Sequence, residues 1–202
     1  MSSNDSSLRN AYAVAAGSVA AAAAASADAG IVYSGVQNIS ISQFTALQLN
    51  LDGDAYADLL LKNYVFPAGN YMGALVLFYP GKLVGVGLYA SALSAGFSIN
   101  ASSVAGSFYG QMAYGKAAPN AQFNNASNKY IGLSFPSGAL LKYGWVRVSV
   151  NQAAGSFIIH DWAYESSGEG IDAGAVPAPG ALGLLALGPA GLGILRGRKR
   201  TA

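Results

Sequence analysis

The chain has 202 residues, with 11 Lys or Arg, 9 Asp or Glu, one His and no Cys. The absence of cysteine excludes disulfides, thiol catalysis and thiolate metal sites. Four of the eleven basic residues lie within the last seven positions, and residues 31–175 carry six basic against seven acidic side chains. This balance offers no basic patch and argues against binding to nucleic acid.

The N-terminal part, residues 1–29, is predicted to be a signal peptide. Residues 11–25 are almost all Ala, Val and Gly, a segment of signal-peptide length rather than membrane-spanning length. The triplets 25–27 (Ala-Ser-Ala) and 27–29 (Ala-Asp-Ala) both match the small-x-small cleavage pattern. We therefore expect export and a mature start near Asp28 or Gly30. The alternative is an Ala-rich arm, disordered or helical.

Residues 30–175 are predicted to form one all-β domain. In residues 45–51 the apolar side chains alternate, which places Leu47, Leu49 and Leu51 on one face of a half-buried strand. Further strands are predicted at 58–66, 72–79, 83–90, 129–135, 141–150 and 156–165. Turn residues separate them at 67–70, 80–81, 136–138 and 151–155. Many short strands at this spacing predict an antiparallel β-sandwich-like architecture.

The segment 50–58 is a candidate calcium site. Side-chain oxygens fall at Asn50, Asp52, Asp54 and Asp58, and Tyr56 offers a backbone carbonyl. Calcium takes several such oxygens at about 2.3–2.6 Å. The segment resembles the aspartate-rich calcium loops of dockerin-like and FG-GAP-like sequences, although it lacks the Gly and Glu positions of an EF-hand. An acidic β-turn is the alternative, because Asp-Gly is a strong turn signal.

A hairpin is predicted between residues 143–150 and 157–164. Strict alternation would place Trp145, Arg147 and Ser149 on one face of the first strand. On the second strand one face would carry Ile158, His160, Trp162 and Tyr164. Its aromatic side chains suggest a platform for sugar rings, although aromatic residues on paired strands also pack in cores. The candidate ligand-binding residues are Trp145, Arg147, His160, Trp162 and Tyr164, with Tyr143 beside them.

No catalytic motif is found in the sequence, and we expect no enzymatic activity. His160 is next to Asp161, and adjacent residues of a regular strand point to opposite faces, so they would not form a relay. The pair Asp161 and Glu165 would lie about 13 Å apart on one strand, at roughly 3.3 Å per residue. Gly-x-Ser-x-Gly and His-Glu-x-x-His patterns are absent.

The last segment, residues 176–202, is predicted to be a membrane-sorting tail with an apolar helix. The uncharged stretch 181–195 would be roughly 22 Å long as a helix, and a bilayer core is about 30 Å thick. Basic residues at the end would stay on the cytoplasmic side, so everything before them would lie outside. The residues of this motif are Pro177, Ala178, Pro179, Arg196, Arg198, Lys199 and Arg200.

Proline residues, an apolar run and a basic end, in this order, resemble the PEP-CTERM sorting tail of bacterial exported proteins. Ala178 stands where the Pro-Glu-Pro triplet of that family has glutamate. Residues 143–148 (Tyr-Gly-Trp-Val-Arg-Val) and 161–165 (Asp-Trp-Ala-Tyr-Glu) also resemble a segment that recurs before this tail. A permanent C-terminal anchor and an apolar helix packed in a soluble core are the alternatives.

The resemblance implies an itinerary and a partner. An exosortase-like membrane enzyme would process the tail after transient residence in the inner membrane of a Gram-negative bacterium. The protein would then be displayed at the cell surface or in the extracellular matrix, associated with exopolysaccharide and biofilm. We therefore expect a structural protein. A calcium-assisted carbohydrate-binding module and a glycan-processing enzyme are the alternative functions.

Overall fold

The computed structural model describes residues 30–177, and these residues form an all-β structure. Residues Gly30–Val176 cluster as one compact unit. The predicted signal peptide and the sorting tail from Ala178 onward lie outside the described residues. Pro177, the last described residue, is exposed. No helix within the described part has both the length and the apolar character needed to cross a membrane.

Fourteen strands and one 3-10 helix, Gly115–Ala117, make up the described part. The strands are β1 (Ile31–Tyr33), β2 (Ile39–Ile41), β3 (Thr45–Leu49), β4 (Leu59–Phe66), β5 (Gly69–Val76), β6 (Lys82–Leu83), β7 (Gly85–Val86), β8 (Tyr89–Ala90), β9 (Ser98–Ile99), β10 (Tyr109–Ala113), β11 (Lys129–Ser137), β12 (Leu140–Asn151), β13 (Ser156–Glu165) and β14 (Ile171–Asp172).

The strands form two six-stranded sheets and one small pair. The first sheet has the order β1-β13-β12-β11-β6, and β2 also pairs with β13. The second sheet has the order β3-β4-β5-β10-β8-β7. All pairs are antiparallel except β8 with β10. The pair β9 and β14 forms the third sheet.

Both six-stranded sheets contribute to one hydrophobic core. Leu61 and Met72 of the second sheet and Ile131, Val148 and Ile159 of the first belong to this cluster, and all five are fully buried. Burial of such side chains is the main stabilising contribution to folding, at about 1.5–3 kcal/mol each.

A second core covers the opposite face of the first sheet. Trp145 lies at its centre, only 1% exposed, with Ile99 of β9 and Ile171 of β14 in the same cluster. The indole Nε1 donates a hydrogen bond to the carbonyl of Ala175 at 3.2 Å. Tyr130 packs edge-on against the indole with ring centroids 5.2 Å apart. The first sheet is therefore buried on both faces, which explains the long buried runs in β11 and β12.

Several predicted strands are confirmed with small shifts in their ends. The predicted hairpin between residues 143–150 and 157–164 is confirmed by the antiparallel β12–β13 pairing. The strands at 45–51, 58–66 and 72–79 correspond to β3, β4 and β5. Residues 136–138 were predicted to be a turn, but β11 continues to Ser137 and only Gly138 lies in the turn.

The predicted continuous strand at 83–90 is wrong. The chain reverses there, so that Gly85 pairs with Ala90 and Val86 with Tyr89. Gly87 has φ of 60°, a conformation that favours glycine and allows the two-residue turn. An apolar pattern alone does not reveal such a reversal, because the two short strands and the turn are all apolar.

Candidate functional site

A β-bulge in β13 determines which side chains meet on one face of the first sheet. Arg147 pairs with Asp161 and Val148 pairs with Ile159, so His160 is the extra residue on β13. A bulge of this kind interrupts the alternation of side chains. His160 contacts Ser149, and its neighbour Asp161 contacts Arg147, on the same face of β12. The predicted opposite orientation of His160 and Asp161 is therefore wrong.

Hydrogen bonds occupy both ring nitrogens of His160. Nε2 lies 2.7 Å from the Ser149 hydroxyl, and Nδ1 lies 3.1 Å from Oδ1 of Asn38. The amide oxygen of Asn38 can only accept, so Nδ1 carries the proton and donates it. In the neutral imidazole Nε2 must then accept from Ser149. The backbone N–H of Asn128 also donates to the Ser149 oxygen at 3.0 Å.

The surroundings of His160 favour the neutral imidazole. Burial lowers the pKa of His160, and the positive charge of Arg147 lowers it further, while Asp161 opposes this with a smaller effect. The lowered pKa shifts the balance from the imidazolium toward the neutral ring. The neutral form is the one that can accept a proton.

Arg147 and Asp161 form an ion pair beside this histidine. The guanidinium donates from Nε to Oδ1 at 2.8 Å and from Nη2 to Oδ2 at 2.6 Å. The hydroxyl of Tyr33 donates to Oδ2 of Asp161 at 2.9 Å. Both oxygens of the buried carboxylate are therefore bonded. The hydrogen bond with Asp161 raises the pKa of Arg147, and the guanidinium also donates to Oδ1 of Asn128 at 3.3 Å.

Ser149 also lines a surface depression of about 330 Å³. Asn125, Ser127, Asn151 and Ser156 contribute polar groups to its wall, and Ile158 is an apolar member. Asn125 has φ of 57° and is a residue type that tolerates this left-handed conformation. The depression thus combines amide and hydroxyl groups next to the hydrogen-bonded serine.

The expected aromatic platform is not formed. Tyr143 and Trp145 belong to the second core, whereas Tyr164 belongs to the first core and Trp162 packs against it. The prediction that Trp162 and Tyr164 share a face with His160 is wrong for the same reason, because the bulge changes the alternation between them. Of the predicted ligand-binding residues, only Arg147 and His160 lie together on one face and remain half-exposed.

In the aspartate segment 50–58, the oxygen atoms have partners within the protein. Asn50 Oδ1 accepts from the N–H of Gly53 at 2.7 Å, and Asp54 Oδ1 accepts from the N–H of Tyr56 at 2.6 Å. Asp52 forms a 3.7 Å ion pair with Lys142 and also accepts from the N–H of Asp54. Such local bonds are those of Asx turns, the structural alternative to calcium binding.

Asp58 points inward, away from an ion-binding arrangement. Asp58 is 3% exposed, and its carboxylate accepts from the N–H of Leu51 at 2.7 Å. Burial raises the pKa of Asp58 to about 6, and the nearby charges of Asp52 and Asp54 contribute in the same direction. Within residues 30–177, no group of three or more His, Asp or Glu side chains is placed to hold a metal ion.

The outward face of the second sheet carries an aromatic cluster that the sequence analysis missed. Phe66 lies between Tyr71, at a centroid distance of 5.5 Å, and Tyr64, at 6.3 Å. Tyr114 packs edge-on against Tyr71 at 5.5 Å and against Phe66 at 6.2 Å. Phe66 is 46% exposed. We call these four residues the outer aromatic cluster.

One glycine helps to place this cluster. Tyr64 and Tyr71 are directly opposed on β4 and β5, and Gly73 follows on the same face. A Cβ at Gly73 would lie 2.5 Å from the Tyr71 hydroxyl. The Tyr71 side chain therefore occupies the space that a side chain at position 73 would need. That hydroxyl bonds with the hydroxyl of Tyr109 on β10. The alternation of Tyr64 and Phe66 within one strand is the sequence signal that could have predicted this aromatic face.

No protein-family model, curated protein or solved structure matches this chain.

Proposed function

We propose that this chain is an exported structural protein, displayed at the cell surface or in the extracellular matrix, with a β-sandwich-like module that associates with polysaccharide. The signal-like segment 1–29 and the PEP-CTERM-like tail 176–202 support export, transient membrane residence and processing by an exosortase-like enzyme. Two six-stranded sheets that share one core support the sandwich-like architecture.

The outer aromatic cluster is the observation that carries the association with polysaccharide. Apolar ring surface that remains partly exposed on a folded sheet, as in Phe66, is a feature of interaction sites. Sugar rings offer C–H groups to aromatic faces and hydroxyls to polar neighbours. Lys62 and Gln111 lie on the same outward face, at pair positions opposite Gly73. This surface replaces the platform expected on the first sheet.

A polysaccharide pull-down tests this assignment. The full-length protein is incubated with insoluble extracellular polysaccharide, and the retained fraction is compared with that of Phe66→Ala/Tyr114→Ala. We expect retention of the parent protein and loss in the double variant. Tyr79→Ala is the matched control, because Tyr79 is 93% exposed and lies outside the cluster. Equal retention of all three proteins, or no retention of any, contradicts the proposal.

A further inference from the structure

We propose that Ser149, His160 and Asn38 form a hydrolytic site for carboxylic esters with a small acyl group. Ser149 is the nucleophile, His160 is the general base, and Asn38 is the positioning residue for the imidazole. This inference concerns the first sheet and goes beyond the proposed structural role, which depends on the termini and on the second sheet. Its failure leaves that role intact.

The order of the hydrogen bonds is the first argument. A serine nucleophile needs a base within about 2.6–3.2 Å, and the base needs a third group that fixes its tautomer. Ser149 Oγ and His160 Nε2 are 2.7 Å apart, and His160 Nδ1 lies 3.1 Å from Asn38 Oδ1. Since Nδ1 keeps its proton and donates it in a hydrogen bond to Asn38 Oδ1, Nε2 has a lone pair directed at the serine hydroxyl.

The backbone holds this arrangement in place. The carbonyl of His160 accepts from the N–H of Gln37 at 2.7 Å and from the N–H of Asn38 at 3.2 Å. The residue that orients the ring is therefore also bonded to the main chain of the histidine. Ser149 pairs with Ile158, so His160, two residues further along β13, lies on the same face, and the bulge at His160 brings Asp161 onto that face as well.

Backbone conformations around the site are the second argument. Within residues 30–177, four non-glycine residues have positive φ, and three of them are asparagines with contacts at this site: Asn38 at 53°, Asn125 at 57° and Asn128 at 51°. Asparagine adopts this conformation more readily than most residues, so these positions fix the loops that carry the site. Asn128 presents its N–H to Ser149, Asn125 lines the adjoining depression, and Asn38 holds the histidine.

The reaction needs no co-reactant except water. Ser149 Oγ attacks the ester carbonyl carbon while its proton moves to His160 Nε2. The tetrahedral intermediate expels the alcohol, which takes that proton, and an acyl ester of Ser149 remains. Water then attacks this ester and gives a proton to Nε2, and the carboxylic acid leaves as the proton returns to Oγ. The net change is ester plus water to acid plus alcohol.

A backbone donor also positions the nucleophile. The N–H of Asn128 donates to Ser149 Oγ at 3.0 Å and fixes this oxygen beside the imidazole. Arg147 donates to Oδ1 of the same asparagine at 3.3 Å and helps to hold this segment in place. The depression of about 330 Å³ lined by Ser149 accommodates a small acyl group and part of its alcohol.

Covalent labelling tests the nucleophile directly. The full-length protein is treated with a fluorophosphonate, and the modified residue is located by peptide mass spectrometry. Hydrolysis of p-nitrophenyl acetate is measured in parallel. We expect label on Ser149, with loss of that label in His160→Gln, and a kcat/KM reduced at least about 100-fold in Ser149→Ala. Ser40→Ala, on the exposed part of β2, retains both. No label on Ser149, together with hydrolysis unchanged in Ser149→Ala, overturns the proposal.

A thiol probe serves if Ser149→Ala fails to fold. The chain has no cysteine, so Ser149→Cys introduces a single thiol next to the imidazole. If His160 accepts its proton, iodoacetamide reacts rapidly at pH 6–7, and Ser149→Cys/His160→Gln reacts at least about 10-fold more slowly. Equal rates in the two variants contradict the role of His160.

The role of Asn38 has its own readout. In Asn38→Asp a carboxylate next to Nδ1 favours the imidazolium, so the acid limb of the pH profile of kcat/KM shifts to higher pH. Asn38→Ala lowers kcat without that shift. An unchanged pH profile in Asn38→Asp contradicts the positioning role.

Discussion

Arg147 of β12 and Asp161 of β13 form a residue pair joined by two hydrogen bonds, and this pair lies next to the bulge at His160. The Asp161 side chain is 4% exposed and the Arg147 side chain 28%. Loss of one partner of such a pair leaves a buried charge without compensation. The ion pair therefore stabilises the pairing of Arg147 with Asp161. This pairing lies next to the extra residue His160.

The first prediction concerns this ion pair. Arg147→Met leaves the Asp161 carboxylate buried with Tyr33 as its remaining side-chain donor, and we expect a loss of about 2–4 kcal/mol in the free energy of unfolding. Arg147→Met/Asp161→Leu removes both charges and should recover most of the loss. Urea unfolding measures both. A double variant that is less stable than Arg147→Met would contradict this account.

The second prediction concerns Trp145. Because it is buried in the second core and bonded to Ala175, Trp145→Ala should lower the free energy of unfolding by about 3–5 kcal/mol. Tyr79→Ala, at an exposed position, should change it by less than about 0.5 kcal/mol. Thermal and urea unfolding check both values. Similar effects of the two substitutions would show that Trp145 is not a core residue.

The third prediction concerns pH. The pKa of Asp58 is raised from 3.8 to about 6, so the folded protein binds this proton more tightly than the unfolded chain does. Its stabilising contribution is full below about pH 4 and is lost as the pH rises through about 6. The whole change amounts to at most about 3 kcal/mol.

Asp58→Asn isolates this contribution. The amide oxygen can still accept from the N–H of Leu51, while the ionisation is removed. Relative to this variant, the parent protein should lose stability between pH 4 and pH 7 in urea unfolding. Parallel stability curves for the two proteins over that range are the result that would refute the raised pKa.

The fourth prediction concerns calcium. Since Asn50, Asp52 and Asp54 are bonded within their own turn and Asp58 points inward, we expect the same melting temperature in calcium and in chelator. A rise with calcium that disappears in Asp52→Ala/Asp54→Ala would instead establish the ion site. Asp172→Ala, outside the segment, is the control for general charge effects.

The sequence predicted the long elements because their patterns are local. Alternation of apolar residues in β3 and the turn before Phe157 identify strands and a hairpin without knowledge of their neighbours. Short strands such as β1, β9 and β14 are two or three residues long, too short for a period of two to be recognised. β1 forms by pairing with β13 at the edge of the first sheet, whereas β9 and β14 pair with each other and pack in the second core with Trp145, so all three depend on tertiary contacts.

The candidate sites were harder to predict than the fold. A bulge is a property of two paired strands, and the sequence of residues 158–162 alone does not indicate that His160 is the extra residue. Asn38 lies 122 positions from His160 and Asn128 lies 21 from Ser149, so their meeting depends on the topology of the sheet. The aromatic residues of β12 and β13 suggest a binding platform on the first sheet, yet the exposed aromatic cluster lies on the second sheet.

The central claim is that the domain between the two predicted signals is exported and processed. Intact-mass analysis of the native protein, recovered from the extracellular fraction, tests this claim most directly. We predict a mass that corresponds to a start near Asp28 or Gly30 and to removal of the tail near Pro177–Pro179. A full-length polypeptide, found in the cytosol with residues 1–29 and 178–202 both present, would contradict it.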